Sequence, residues 1–166
     1  ATLQTVIETH RKAAKQSPAP PITLLVLKAL ESRGFGRIKR NADGAVQAII
    51  EEKHTSPGDP PPYELNASVY CFTASWLWEY LPRIPLSPSG EYYLTDLVAL
   101  ATQNGFLVQA LPIQDAEEAI GINNRLHLAE AEAVLRTRIN RQWMLSGVTI
   151  IDPQTTYIEP DVRLGK

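Results

Sequence analysis

Cys71 is the chain's one cysteine, so an internal disulfide and a cysteine-based zinc site are both excluded. It lies in the apolar run Val69-Tyr70-Cys71-Phe72, where a buried, inert thiol is the expected form. A reducing compartment fits so little cysteine. Excess charge of one sign is also lacking: 16 Lys and Arg against 18 Asp and Glu leave a net charge of −2. That balance gives no electrostatic footprint for nucleic acid or a polyanionic surface. No apolar run approaches the roughly 20 residues that span a membrane, and no signal-peptide pattern opens the chain. What remains is an ordinary globular composition, 44% hydrophobic and 20% charged over 166 residues, enough for one domain or part of a larger one.

The chain starts Ala1-Thr2 with no methionine, which leads us to expect a piece of something longer. Leu3, Val6, Ile7, His10, Ala13 and Ala14 recur at helical spacing, with Thr2 as the expected N-cap. After Pro18, Pro20 and Pro21, the run Ile22 to Leu30 is apolar on both faces, as a central strand covered by helices must be. Helix then buried strand is half of an α/β repeat, entered in mid-pattern. In Arg33-Gly34-Phe35-Gly36-Arg37-Ile38, two glycines allow either a tight turn or bulge or a close backbone approach to a ligand. Ile38–Arg40, the turn Asn41-Ala42-Asp43-Gly44 and Ala45–Glu52 read as a β-hairpin. Its second strand ends at Glu51, and α/β clefts open at strand ends. Glu52 and Lys53 fit a solvated edge, and His54 to Pro62 an exposed proline-rich loop.

Tyr63 to Phe72 reads as a strand, with Asn66 as its odd member. Asparagine is disfavoured in strands, so a specific hydrogen bond is expected to hold it. A short helix capped by Thr73 carries Trp76, Trp78 and Tyr80, which we expect to pack rather than to cage a ligand. Gly90-Glu91-Tyr92-Tyr93-Leu94-Thr95-Asp96 opens the next helix, about Leu94–Asn104, capped by Glu91, Thr95 or Asp96. One of its two tyrosines packs and the other is exposed. Phe106 to Ile113 is another buried strand. The longest helix runs from about Arg125 to Ser146. Asn123 or Asn124 can cap it, or an amide oxygen there can ligate a hard cation. Its arginines suit a solvated face. After Gly147, apolar pairs separated by turn residues recur near every sixth position, the pattern of one β-helix coil.

Six segments, in order, carry a resemblance: Gly34-Phe35-Gly36-Arg37-Ile38, Ile50-Glu51-Glu52-Lys53, Glu64-Leu65-Asn66, Gly90 to Asp96, Gly121-Ile122-Asn123-Asn124-Arg125-Leu126, and Gly147-Val148-Thr149-Ile150-Ile151-Asp152-Pro153. Together they resemble the bacterial bifunctional UDP-N-acetylglucosamine pyrophosphorylase/glucosamine-1-phosphate N-acetyltransferase family over nearly the whole chain. The resemblance implies an α/β fold: the C-terminal half of a Rossmann-like nucleotidyltransferase domain (1–125), a linker helix (126–146), and the first coil of a left-handed parallel β-helix (147–166). It implies uridylyl transfer from UTP to N-acetylglucosamine 1-phosphate with Mg2+, giving UDP-N-acetylglucosamine and pyrophosphate for cell-wall synthesis in the cytoplasm.

Carried over residue by residue, the resemblance gives the sugar to the Gly36 backbone, Glu51 and Asn66. Tyr93 and Thr95 line the cleft, and Asn123 ligates the metal and contacts the nucleotide phosphates. It implies a homotrimer built through the β-helix, with no nucleic-acid or membrane partner. The family's Gly-rich triphosphate loop and its second metal ligand, an aspartate, have no counterpart here, so no catalytic residue is assigned and the lone chain is expected to be inactive. Ser68 stands where the family usually has glycine. Another sugar-nucleotide pyrophosphorylase, or a non-catalytic sugar-binding or assembly module, are the competing expectations.

Overall fold

The computed structural model describes residues 2–55 and 63–165, so most of the proline-rich loop, 56–62, lies outside the described residues. The chain divides into two compact units, 1–119 and 120–166. In the first, the elements run α1 (Thr2–Ala13), β1 (Ile22–Ala29), β2 (Arg37–Arg40), β3 (Val46–Ile50), β4 (Tyr63–Phe72), α2 (Ala74–Tyr80), α3 (Asp96–Gln103) and β5 (Val108–Pro112). The strands form one sheet in the order β3-β2-β4-β1-β5. β1 pairs antiparallel with β4 and parallel with β5, and β2–β3 is the expected hairpin.

β1 explains the layering. Ile22, Leu24 and Val26 join Trp76, Tyr80, Leu97, Val98 and Ala101 in the main core, which sets α2 and α3 on one face. Thr23 alternates to the other face, where its hydroxyl lies 2.9 Å from Nδ1 of His10 on α1. His10 is buried, and burial lowers its pKa, so the ring sits neutral against the sheet. Helices on both faces are what a run apolar on both sides requires. Trp76 and Tyr80 stack in the core with centroids 4.5 Å apart, while Trp78 stays exposed.

Three local expectations are corrected. Thr2 is helical rather than an N-cap, and its hydroxyl donates to Glu118. Thr95 does occupy the N-cap position of α3, but neither it nor its neighbours caps with a side chain. Cys71 is half-buried rather than buried, although what burial it has still raises its pKa.

β4 does not run straight. Val26 faces Asn66 and Leu24 faces Tyr70, so the step between those pairs takes two positions on β1 and four on β4. The surplus residues form a bulge, and Ser68 within it has φ 58°. That left-handed value favours glycine, which gives a physical meaning to the serine-for-glycine difference noted from sequence.

In the second unit, α4 (Arg125–Leu145) is N-capped by Asn124, whose side chain accepts from the His127 N–H at 2.9 Å. Arg125, Arg138 and Arg141 are exposed, as a solvated face requires. Buried Asn140 donates to the carbonyls of Pro153 and Thr156 at 2.8 and 2.9 Å, and this holds the C-terminal segment on the helix. Among the described residues, 148–165 contain no strand, and Ile151 is 99% exposed.

Replacing Ser68 by valine places a β-branched side chain at positive φ and should lower stability by about 1–2 kcal/mol, whereas Ser68→Gly should be neutral or stabilising. Denaturant melts of the two variants check this ordering.

Candidate functional site

The first unit brings its sequence-predicted residues to strand ends and to the start of α3. Gly36 precedes β2, Glu51 follows β3, Asn66 lies before the β4 bulge, and Thr95 opens α3. Their connections are short. The Asn66 N–H donates to the Gly36 carbonyl at 2.8 Å. The Thr95 hydroxyl donates to Glu51 Oε1 at 2.6 Å, which is why it is not turned back to cap its helix. Asn66 is 2% exposed. Its Oδ1 accepts from the Ser68 N–H at 3.1 Å, and its Nδ2 donates to the Tyr70 hydroxyl at 2.6 Å. The specific hydrogen bond expected of a strand asparagine is therefore present twice.

Gly36 is held to glycine by space. A Cβ there would lie 2.8 Å from Ile49 Cγ2 and 3.2 Å from the Ile50 carbonyl oxygen. Positive φ belongs to its neighbours, Arg33 at 49° and Gly34 at 90°. The missing side chain lets the start of β2 close against the end of β3, and this brings Gly36 and Glu51 together.

Electrostatics tie the cluster together. Burial raises the Asp96 pKa and the Glu51 charge raises it further, while His54 acts the other way. Burial pushes the Tyr70 phenol up to about 12; the Asn66 hydrogen bond acts the other way and the Glu51 charge adds to the rise. Tyr70 and Asp96 are not among the ligand-binding residues expected from sequence. Tyr70 looked like one of several apolar strand residues, and Asp96 like a helix-start carboxylate.

Tyr93 is half-buried and Tyr92 exposed, the division expected of the pair. The Tyr93 hydroxyl donates to Glu91 Oε2, and Lys53 Nζ lies 2.5 Å from the same oxygen and 4.8 Å from the Tyr93 ring centroid. His54 meets that ring edge-on at 6.1 Å. Hydrogen bonds from Lys53, Tyr93 and Ser89 draw the Glu91 pKa down to about 2. The network clips the loop before α3 to the turn that follows Glu51. Asn123 belongs to the second unit, where it is exposed and its backbone N–H lies 3.4 Å from His127 Nδ1. Among the described residues, no three His, Cys, Asp or Glu side chains are grouped to hold a metal. A lone amide oxygen suits a hard cation whose other ligands are phosphates and water.

The fold is that of a Rossmann-like nucleotidyltransferase. A solved structure of CMP:2-keto-3-deoxy-manno-octonic acid synthetase complexed with CTP matches 80% of this chain and 56% of its own, with TM-score 0.51 at 11% identity. No protein-family model matches the chain. Its sequence is similar throughout to curated proteins named bifunctional protein GlmU. The one from Geotalea uraniireducens is 41% identical over 100% of this chain, and the one from Heliobacterium modesticaldum is 42% identical over 99%. The chain spans about a third of the length of these relatives, 35% in both cases. It is thus similar over its whole length to a segment of the GlmU proteins.

Two outcomes check the site's construction. Gly36→Ala should lower stability by about 1–3 kcal/mol, because both obstructing atoms lie in a packed strand; a melt within error of the parent would refute the crowding. A carboxylate with a lowered pKa contributes stability that is complete above its unfolded value, about 4.3, and is lost as pH falls. The Glu91 link should therefore persist until about pH 2. An NMR titration of the Glu91 carboxyl should show that midpoint, and Lys53→Ala should move it up toward the ordinary range.

Proposed function

We propose that this chain forms the sugar-phosphate side of a uridylyltransferase. The enzyme joins UTP and N-acetylglucosamine 1-phosphate to give UDP-N-acetylglucosamine and pyrophosphate. The observation that supports this most directly is the hydrogen bonding of Gly36, before β2, to Asn66 in β4, and of Glu51, after β3, to Thr95 at the start of α3. It occurs in a chain about 40% identical to GlmU proteins over its whole length.

The roles follow from the chemistry of each group. Glu51 accepts sugar hydroxyl protons, and the Thr95 hydroxyl on Oε1 fixes the carboxylate so that Oε2 is presented to ligand. Asn66 offers one amide hydrogen and one oxygen lone pair beyond those already engaged. The Gly36 backbone N–H contacts the sugar, and Tyr93, held by Glu91 and Lys53, forms a wall of the cleft. In-line displacement at the α-phosphorus depends on positioning and charge neutralisation, so a binding surface suffices for this chain's share of the work. Mg2+, when bound, neutralises phosphate charge, and the Asn123 amide oxygen is the ligand this chain would supply. Residues 1–125 form the transferase part, 126–146 the linker helix, and 147–166 the first coil of a hexapeptide-repeat domain through which the whole protein trimerises. Cell-wall precursor synthesis in the cytoplasm is the setting this activity implies.

A hybrid tests the assignment. The matched segment of the Geotalea uraniireducens relative would be exchanged for this chain, and pyrophosphate release measured with UTP and N-acetylglucosamine 1-phosphate. The hybrid should turn over. Glu51→Ala should reduce kcat/KM by roughly 10–100-fold, the worth of a hydrogen bond to a charged group. A folded hybrid without turnover, or a Glu51→Ala hybrid as active as its parent, would overturn the proposal.

A further inference from the structure

Asn66 and Tyr70 are four residues apart in a strand, a spacing at which side chains on one face do not normally touch. The β4 bulge changes this. Because the surplus residues loop out, Asn66 and Tyr70 lie opposite Val26 and Leu24, which are only two positions apart. They therefore become same-face neighbours. Ser68, at φ 58°, turns its N–H onto Asn66 Oδ1 at 3.1 Å, and the Tyr70 hydroxyl oxygen receives Asn66 Nδ2 at 2.6 Å. Each end of the amide is engaged once, by a donor on the oxygen and an acceptor on the nitrogen.

We propose that Tyr70 is a positioning residue for ligand binding: with the Ser68 N–H it clamps the Asn66 amide in one flip state, so that the remaining N–H and the remaining oxygen lone pair meet the sugar in a set orientation. This rests on Asn66 contacting the sugar, as proposed above. A free amide flips at little cost, and it would present donor and acceptor interchangeably. The clamp removes that freedom before ligand arrives, which lowers the ordering cost of binding. The phenol is suited to accept at every working pH, since burial keeps it protonated and uncharged. Its ring is held independently by stacking on Phe72, centroids 5.5 Å apart. The hydroxyl is thus separable from the packing, and Tyr70→Phe removes only the clamp.

Two measurements on this chain test the proposal. In 15N spectra, the Asn66 side-chain amide, assigned by its loss in Asn66→Ala, should exchange with solvent more slowly than that of exposed Asn41. In Tyr70→Phe its two proton signals should move together and exchange faster. An Asn66 amide that exchanges like that of Asn41 in the unmutated chain, or one unchanged in Tyr70→Phe, overturns the clamp whether or not any ligand binds. UDP-N-acetylglucosamine is the probe in calorimetric titrations. Tyr70→Phe should weaken its binding about 5-fold, the loss of one neutral hydrogen bond. It should have no further effect in an Asn66→Ala background. Unchanged affinity, or losses that simply add, overturns positioning for the ligand. If the unmutated chain does not bind alone, the same titrations are made on the hybrid, where unchanged affinity or additive losses again overturn positioning, and absence of binding there counts against the proposed function while the amide spectra decide the clamp.

Discussion

The first five residues of strand β1, Ile22 to Val26, have no face left for water, and the first unit is arranged to satisfy that condition. Ile22, Leu24 and Val26 are buried under α2 and α3, while Thr23 faces α1. Burying each large aliphatic side chain contributes about 1.5–3 kcal/mol, so three in a row favour a helical layer over that face. The opposite face is partly polar. There His10 and Thr23 satisfy one another, because an unpaired buried group would cost as much as a hydrophobic contact contributes. β1 also has partners on both edges, β4 and β5, so its backbone groups are met as completely as its side chains.

The candidate site is what this packing leaves at its margin. β4 must match β1 in register, yet it carries more residues than the match can absorb, and the bulge at Ser68 is the result. That irregularity turns Asn66 and Tyr70 toward each other. Helix α3, drawn onto the sheet by Leu97, Val98 and Ala101, brings Thr95 to Glu51. The hydroxyl bonds the carboxylate in place of capping its own helix, so a local rule gives way to a tertiary contact with the residue that follows β3. The same substitution of tertiary for local contacts is seen at Thr2, which bonds Glu118 across the unit rather than capping α1. A site built this way is rigid because its parts answer to the core rather than to a flexible loop.

Periodicity and turn chemistry in the sequence were enough for the elements themselves. The two-faced apolar run became the central strand, Asn41-Ala42-Asp43-Gly44 became the hairpin turn, and Asn124 became the cap of α4. Hydrogen-bond arithmetic was enough to single out Asn66, since a strand asparagine must be paired. The motif resemblance, rather than periodicity, named Gly36, Glu51, Tyr93 and Thr95 as a group. None of these routes could show Tyr70, because its partnership with Asn66 exists only after the bulge has shortened their separation. Nor could they show that Gly36 is required by Ile49 and Ile50, which are more than a turn of hairpin away in the chain.

The division has a physical basis. Sequence alone determined whatever depends on neighbours within a few residues: where helices and strands fall, which faces are apolar, and that one of two adjacent asparagines caps α4. Tertiary structure alone decided the register of β4 on β1, the left-handed Ser68, the choice of Thr95 to bond Glu51, and the pairing of Lys53 with Glu91. Each of these sets one local preference against another distant in the chain, and the competition is settled only when the core closes and both groups arrive at the same place.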